Sequence, residues 1–218
     1  MMQSQQSQQN HKYHNICKNC DNLFVSENKQ DFCSEKCKEE YGMKNLRKRI
    51  SLIPLIYRDI DSDYKDLVKL GMDKSLFVTG IVGSGKTVLV ATIAKEIIKN
   101  PNRMIQWVKY PTFILDIQSS FIKHDEATPF EKAKEVKEYP YTLIIDDLGV
   151  PKTTDFIRLV TYEVIDYRME NRLHTLITSN YSLSQIDEFI DTRISSRISA
   201  LCEPVALDED KDRRLKRK

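Results

Sequence analysis

From Ser75 onward, short apolar runs alternate with longer stretches in which apolar residues return every three or four positions. The short runs predict strands at residues 76–79, 104–109, 142–145, 176–179 and 201–207. The clearest helical stretch covers residues 86–99, where Leu89, Ile93 and Ile97 share a face with Val90 and Ala94. Asn100-Pro101 ends it, because proline cannot continue the hydrogen-bonded ladder. Strands alternating with amphipathic helices imply an α/β fold built on a parallel sheet.

Upstream of Ser75 the pattern changes. Residues 1–14 are rich in Gln, Ser, Asn and His, a composition that cannot pack a core and reads as a disordered tail. Residues 15–45 hold four of the five cysteines and read as a small metal module. Residues 46–73 read as a basic linker and lead-in segment, with Pro54 breaking any helix there. Residues 74–207 form the main domain, and residues 208–218 a basic tail.

A chain of 218 residues with 40% hydrophobic and 30% charged residues can bury a core and keep a wet surface. The net charge of +2 excludes wholesale wrapping of duplex DNA, yet Lys44, Arg47, Lys48 and Arg49 cluster, as do Arg213, Arg214, Lys216, Arg217 and Lys218. No run of 18 apolar residues occurs, so no membrane partner is expected. The N-terminal MMQSQQSQQN lacks the basic-then-apolar pattern of a secretory signal, and the expected location is cytoplasmic. Thiols stay reduced there, so clustered cysteines point to metal before disulfide.

Gly80-Ile81-Val82-Gly83-Ser84-Gly85-Lys86-Thr87 matches the phosphate-binding pattern G-x-x-x-x-G-K-[ST], between a predicted strand and a predicted helix. Gly80, Gly83, Ser84 and Gly85 would let backbone N–H groups close around the phosphates, with Val88 just inside the helix whose N-terminus adds positive dipole. Lys86 would reach the β- and γ-phosphates, and the Thr87 hydroxyl would bind magnesium. The run 143–147 is an apolar strand ending in two acids. Asp146 is expected to hold magnesium and Asp147 to orient and deprotonate the attacking water. Asn180, ending the next strand, is a candidate to hold that water beside the γ-phosphate. Asn28-Lys29-Gln30-Asp31 spells a guanine-specificity motif but lies before the loop, so the expected nucleotide is ATP.

Cys17-x₂-Cys20-x₁₂-Cys33-x₃-Cys37 has the spacing of a tetrahedral Zn²⁺ site. Ser34 is a good N-cap, which would put Cys37 in a first helical turn near Cys33. Four cysteines leave no open position, so this zinc would be structural. About thirty residues bury little core, so metal would stabilise the module. Cys202 reads as a core residue in an apolar strand.

The combination of IIDDLG at 144–149, LITSN at 176–180, RISSRI at 193–198 and IPLIYRDID at 53–61 resembles the AAA+ ATPases of the DnaC/DnaI helicase-loader and IstB group. The resemblance covers roughly residues 53–214. It implies a five-stranded sheet, ATP hydrolysis with self-association through the ATP site, single-stranded DNA contact and a replicative helicase as partner, and the shorter acid at Asp147 makes slow hydrolysis the expectation. It further implies a helical insertion at about 111–138, with Phe113, Phe121, Lys123 and His124 as candidate DNA contacts. The competing role for the two aromatics is core packing. Arg197 matches the family's arginine finger, with Arg193 one turn away, and Arg168 matches an arginine without an assigned role. Two departures stand out. Asp147 occupies a position where many AAA+ proteins carry Glu, and the sequence stops where a helical lid would begin, leaving Arg213 or Arg214 to substitute for a lid arginine. The resulting expectation is a helicase loader for DNA replication. The alternatives are an IstB-like transposition helper, an ATP-binding switch, or a DNA-binding regulator without significant catalysis.

Overall fold

The computed structural model describes residues 12–120, 128–149 and 154–207. The chain divides into two compact units, Met1–Lys48 and Arg49–Lys218.

In the first unit, β1 (Tyr13–Ile16) pairs antiparallel with β2 (Leu23–Ser26). Asp21, in the left-handed region at φ 57, turns the chain between them, and its N–H donates to Cys17 O. Helix α1 spans Glu35–Ile50. The Ser34 hydroxyl accepts from Cys37 N at 3.2 Å, the cap that the sequence suggested. Residues 46–50, read as linker, continue this helix. Leu46, Arg47, Lys48 and Arg49 tolerate helix well, and the first residue that forbids it is Pro54.

In the second unit a 3₁₀ turn at Leu55–Tyr57 precedes α2 (Lys65–Asp73), β3 (Leu76–Thr79) and α3 (Lys86–Lys99). Then come β4 (Ile105–Lys109), α4 (Tyr110–Ser119), α5 (Pro129–Lys137), β5 (Thr142–Leu148) and α6 (Asp155–Glu170). The described part closes with β6 (Thr175–Ser179), α7 (Leu183–Phe189), α8 (Thr192–Leu201) and β7 (Glu203–Ala206). The five strands β3 to β7 make one parallel sheet in the order β4-β5-β6-β3-β7. This is the expected α/β sheet flanked by helices.

The central strands are buried along nearly their whole length, as parallel strands covered on both faces must be. Phe77, Leu143, Ile145 and Ile177 of the sheet pack with Val164 and Ile165 of α6 and with Ile194 and Ile198 of α8. Gly71 lets α2 lie close on α3, since a Cβ there would meet Ile93 Cδ1 at 2.5 Å. The lead-in segment is tied to α3 by polar contacts. Lys95 Nζ donates to Ile60 O at 2.6 Å and pairs with Asp61 at 2.5 Å, while Ser62 N donates to Thr92 Oγ1.

Helices α4 and α5 occupy the stretch expected to carry a helical insertion. Phe113 is half-buried against the core, so its ring serves packing, the competing role foreseen for it. Phe121, Lys123 and His124 lie outside the described residues, as do Arg213 and Arg214. Cys202 is buried as expected, but it caps the C-terminus of α8 instead of sitting in a strand, one residue before β7 begins.

Candidate nucleotide site and cysteine cluster

The loop between β3 and α3 is shaped by its glycines. Gly80, Gly83 and Gly85 have φ of 147, 87 and 99 degrees, values that other residues rarely adopt. Gly80 has no room for a side chain, because a Cβ would sit 2.8 Å from Ser84 Oγ and 3.0 Å from Leu207 O. Gly85 is the left-handed N-cap of α3. It offers no side-chain oxygen, so the first N–H groups of the helix stay available to a ligand. Lys86 is buried, and its Nζ turns back into the loop to donate to Gly80 O at 2.7 Å and Ile81 O at 2.8 Å. The Ser84 hydroxyl is buried with no hydrogen-bond partner among the described residues. A glycine-shaped loop, a buried ammonium and a helix N-terminus together suit an anion such as a triphosphate.

The acids at the end of β5 face this loop. Thr87 Oγ1 donates to Asp146 Oδ1 at 3.0 Å, and Thr178 Oγ1 donates to the same oxygen at 2.8 Å. Burial pushes the Asp146 carboxyl above its usual range, the Thr178 and Thr87 hydroxyls oppose the shift, and neighbouring Asp147 adds to it. A buried carboxylate so disfavoured in its charged form suits a divalent cation, whose charge offsets the desolvation. Asp147 is exposed and sits in the left-handed region at φ 64. Its N–H donates to Thr178 Oγ1 at 2.8 Å, and its Oδ1 accepts from Asn180 Nδ2 at 2.9 Å. Of the residues picked from the sequence, Lys86, Thr87, Asp146, Asp147 and Asn180 thus form a connected group with the loop, while Val88 lies in the first turn of α3, half-buried. Thr178 belongs to the group too. Sequence reading passed over it in favour of Asn180, although its place in the LITSN run was the available signal.

Arg197 lies on α8. It pairs with Asp166 of α6 at 2.5 Å and stacks 6.0 Å from the Tyr162 ring centroid. Arg193, one turn earlier, stacks on the same ring at 5.3 Å and pairs with Asp191. Arg193 is exposed and Arg197 half-buried, and neither touches the phosphate loop of its own chain in these contacts. Arg168 behaves differently. It is fully buried, its guanidinium donating to the carbonyls of Lys137, Tyr139, Tyr141 and His174 and to Thr175 Oγ1.

In the first unit the thiols of Cys17, Cys20, Cys33 and Cys37 lie within 4.8 Å of one another. Cys20 and Cys33 sulfurs are 3.7 Å apart, and those of Cys33 and Cys37 are 3.5 Å apart. Four sulfurs about 2.3 Å from one zinc would be about 3.8 Å apart, so the cluster fits a tetrahedral ion. Burial acts against ionisation of Cys17, but the backbone N–H groups of Cys33, Asn19 and Cys20 outweigh it and draw the thiol down to about 6. The Cys37 thiol is drawn down as well, by the Ser34 hydroxyl first, whereas the Cys37 and Cys17 thiols push Cys33 up to about 12, so the crowded sulfurs hold their protons unequally. The Asn28–Asp31 stretch belongs to this unit, where Asp31 pairs with Lys18 at 2.9 Å.

Among the described residues no helix is long and apolar enough to cross a membrane. The family model for the bacterial DnaA ATPase domain matches residues 71–202. The replicative helicase loader DnaI of Bacillus subtilis (strain 168) is 29% identical over 172 residues, covering 72% of this chain and 53% of that protein. The chain spans about half the length of the curated relatives it matches. A crystal structure of DnaI superposes with a TM-score of 0.57 at 27% identity, covering 78% of this chain and 93% of that one. A crystal structure of the DnaC helicase loader shares the fold, with a TM-score of 0.54 at 21% identity over 78% of this chain and 90% of that one. With the phosphate loop, the paired acids and the five-stranded sheet all in one domain, the chain belongs to the bacterial DnaA ATPase-domain family, as an AAA+ ATPase of the DnaC/DnaI type with an N-terminal four-cysteine module.

Proposed function

We propose that this protein is an ATP-dependent loader of a replicative helicase. One observation carries the reading. Thr87, Asp146, Thr178, Asp147 and Asn180 form a single hydrogen-bonded group beside a phosphate-binding loop, in a chain similar to the replicative helicase loader DnaI. Such a group can hold a nucleoside triphosphate and cleave it.

In this reading Gly80, Gly83, Ser84, Gly85 and Val88 line the triphosphate with backbone N–H groups, and Lys86 gives up its loop carbonyls for the β- and γ-phosphates. Thr87 and Asp146 hold magnesium, which when bound neutralises phosphate charge. Asp147 accepts the proton of the attacking water, and Asn180 orients that water beside the γ-phosphate. Asp is shorter than Glu, so turnover is slow and ATP acts more as a timer than as fuel. Arg197 reaches the γ-phosphate of a neighbouring copy, which makes hydrolysis depend on self-association.

The cysteine module binds structural zinc through Cys17, Cys20, Cys33 and Cys37. A closed site does no chemistry, so its use is to hold a rigid surface, and that surface takes the helicase. The working division is residues 15–45 for zinc and helicase, 46–73 as lead-in, and 74–207 for ATP and single-stranded DNA. DNA affinity is modest and salt-dependent, in keeping with the small net charge of +2.

The test is capture from the native host by the full chain, with and without ATP, followed by mass identification. A replicative helicase retained by the wild type and lost on Cys33→Ser supports the reading. A transposase in its place moves the protein to the transposition-helper alternative.

A further inference from the structure

Strand geometry raises a difficulty for the two acids. Successive side chains of a strand point to opposite faces, so Asp146 and Asp147 should not serve one site. The register of β5 against β6 resolves it. Ile145 pairs with Ile177, and Leu148 pairs with Ser179. Between those pairs β5 has two residues, Asp146 and Asp147, and β6 has one, Thr178. This two-for-one step is a bulge, a device that re-aims a side chain at the cost of a local ladder interruption.

The bulge is closed by one hydroxyl. Thr178 is buried, and its single proton goes to Asp146 Oδ1 at 2.8 Å. Its oxygen accepts the N–H of Asp147, also at 2.8 Å. Asp147 takes the left-handed backbone at φ 64, a region uncommon for non-glycine residues though better tolerated by aspartate than by most. That backbone turn brings its carboxylate to Asn180. The hydroxyl therefore fixes both acids at once, one through its carboxylate and the other through its main chain.

We infer that Thr178 is a positioning residue for ATP hydrolysis, locking the β5 bulge so that consecutive acids meet one nucleotide. Its hydroxyl is engaged by Asp146 and by the main chain of Asp147. It acts through Asp146 and Asp147, so the inference rests on the roles proposed for those two. Removing the hydroxyl leaves the loop and Lys86 intact, so ATP still binds. Turnover falls because Asp147 loses its aim, and magnesium binds less well because Asp146 loses a fixing donor.

The experiment compares Thr178→Ser, Thr178→Ala and Thr178→Val with the wild type and with Asp147→Asn, all as full chains. It reads kcat, KM for ATP and the half-saturating magnesium concentration, with fluorescent ATP-analogue binding to report a folded site. The Ala and Ser variants both lack the methyl group and differ only in the hydroxyl, so the comparison stands even where Val disturbs packing. We expect Ala and Val to lose at least tenfold in kcat, with KM within threefold and a raised magnesium requirement. Ser should recover kcat to within threefold of wild type. Wild-type kcat in Ala, or equal impairment of Ser and Ala, overturns the inference. Asp147→Asn separates the two levels. If it is inactive while Thr178→Ala is fully active, only the coupling falls. If Asp147→Asn turns over normally, the base assignment falls with it.

Discussion

Asn180 donates from Nδ2 to Asp147 Oδ1 at 2.9 Å, so the residue just after β6 holds a carboxylate of β5, one residue before that strand ends. The contact joins the two residues proposed to handle the attacking water. Replacing Asp147 by Asn keeps a similar shape and removes the proton acceptor. Asp147→Asn should bind ATP within about threefold of wild type and lose about 10²–10⁴-fold in turnover, the usual worth of general-base catalysis. Steady-state ATPase assays beside equilibrium binding check this. Wild-type turnover would exclude Asp147 as the base.

Arg197 is poised by α6, paired with Asp166 and stacked on Tyr162. An arginine acting on a neighbouring copy is dispensable for its own ATP site. Arg197→Ala should therefore bind ATP normally and hydrolyse at least about 10³-fold more slowly. Mixed with Lys86→Ala, which supplies an intact arginine but binds no ATP, it should regain activity. Absence of rescue across mixing ratios would argue against action in trans.

Arg168 offers a stability test. Its guanidinium closes the space between the α5–β5 and α6–β6 connections with bonds of 2.8 to 3.3 Å. Burial draws its pKa down to about 10, still far above neutral pH, so the charge persists inside. Arg168→Leu would strand several buried carbonyls and should cost on the order of 3–5 kcal/mol in denaturant unfolding. A loss below about 1 kcal/mol would show that water replaces the arginine at no penalty.

These residues mark where sequence reading works and where it stops. Helix α3 could be read at residues 86–99 because apolar spacing and Asn100-Pro101 both speak locally. The phosphate loop was legible because its glycines and Lys86 carry their chemistry in the spacing itself. Strand β5 was read three residues short, since two acids look like a strand end, whereas the bulge opposite Thr178 lets pairing continue to Leu148. Residues 46–50 read as linker because a run of Lys and Arg has no apolar periodicity, yet such residues favour helix. Arg168 falls on the buried stripe of α6, three residues after Ile165 and four after Val164, but an arginine at such a position reads as a surface charge. Its partners are main-chain carbonyls brought together from two distant loops, and a carbonyl has no letter in the sequence.

The four-cysteine cluster makes a prediction independent of nucleotide. Freshly reduced protein should hold one zinc per chain, and Cys33→Ser should lower that content and expose the β1–β2 hairpin to protease. Elemental analysis with limited proteolysis reads both. Zinc-free, protease-resistant wild type would mean that the module folds without metal.

Loading itself is the most direct measurement. The host's replicative helicase is mixed with a closed circle of single-stranded DNA, which offers no end to thread, and helicase retained on the circle is counted with and without this protein. The proposed function predicts a rise that needs both wild-type protein and ATP and disappears with Lys86→Ala. Equal retention with and without the protein, or a rise unaffected by Lys86→Ala, would contradict it.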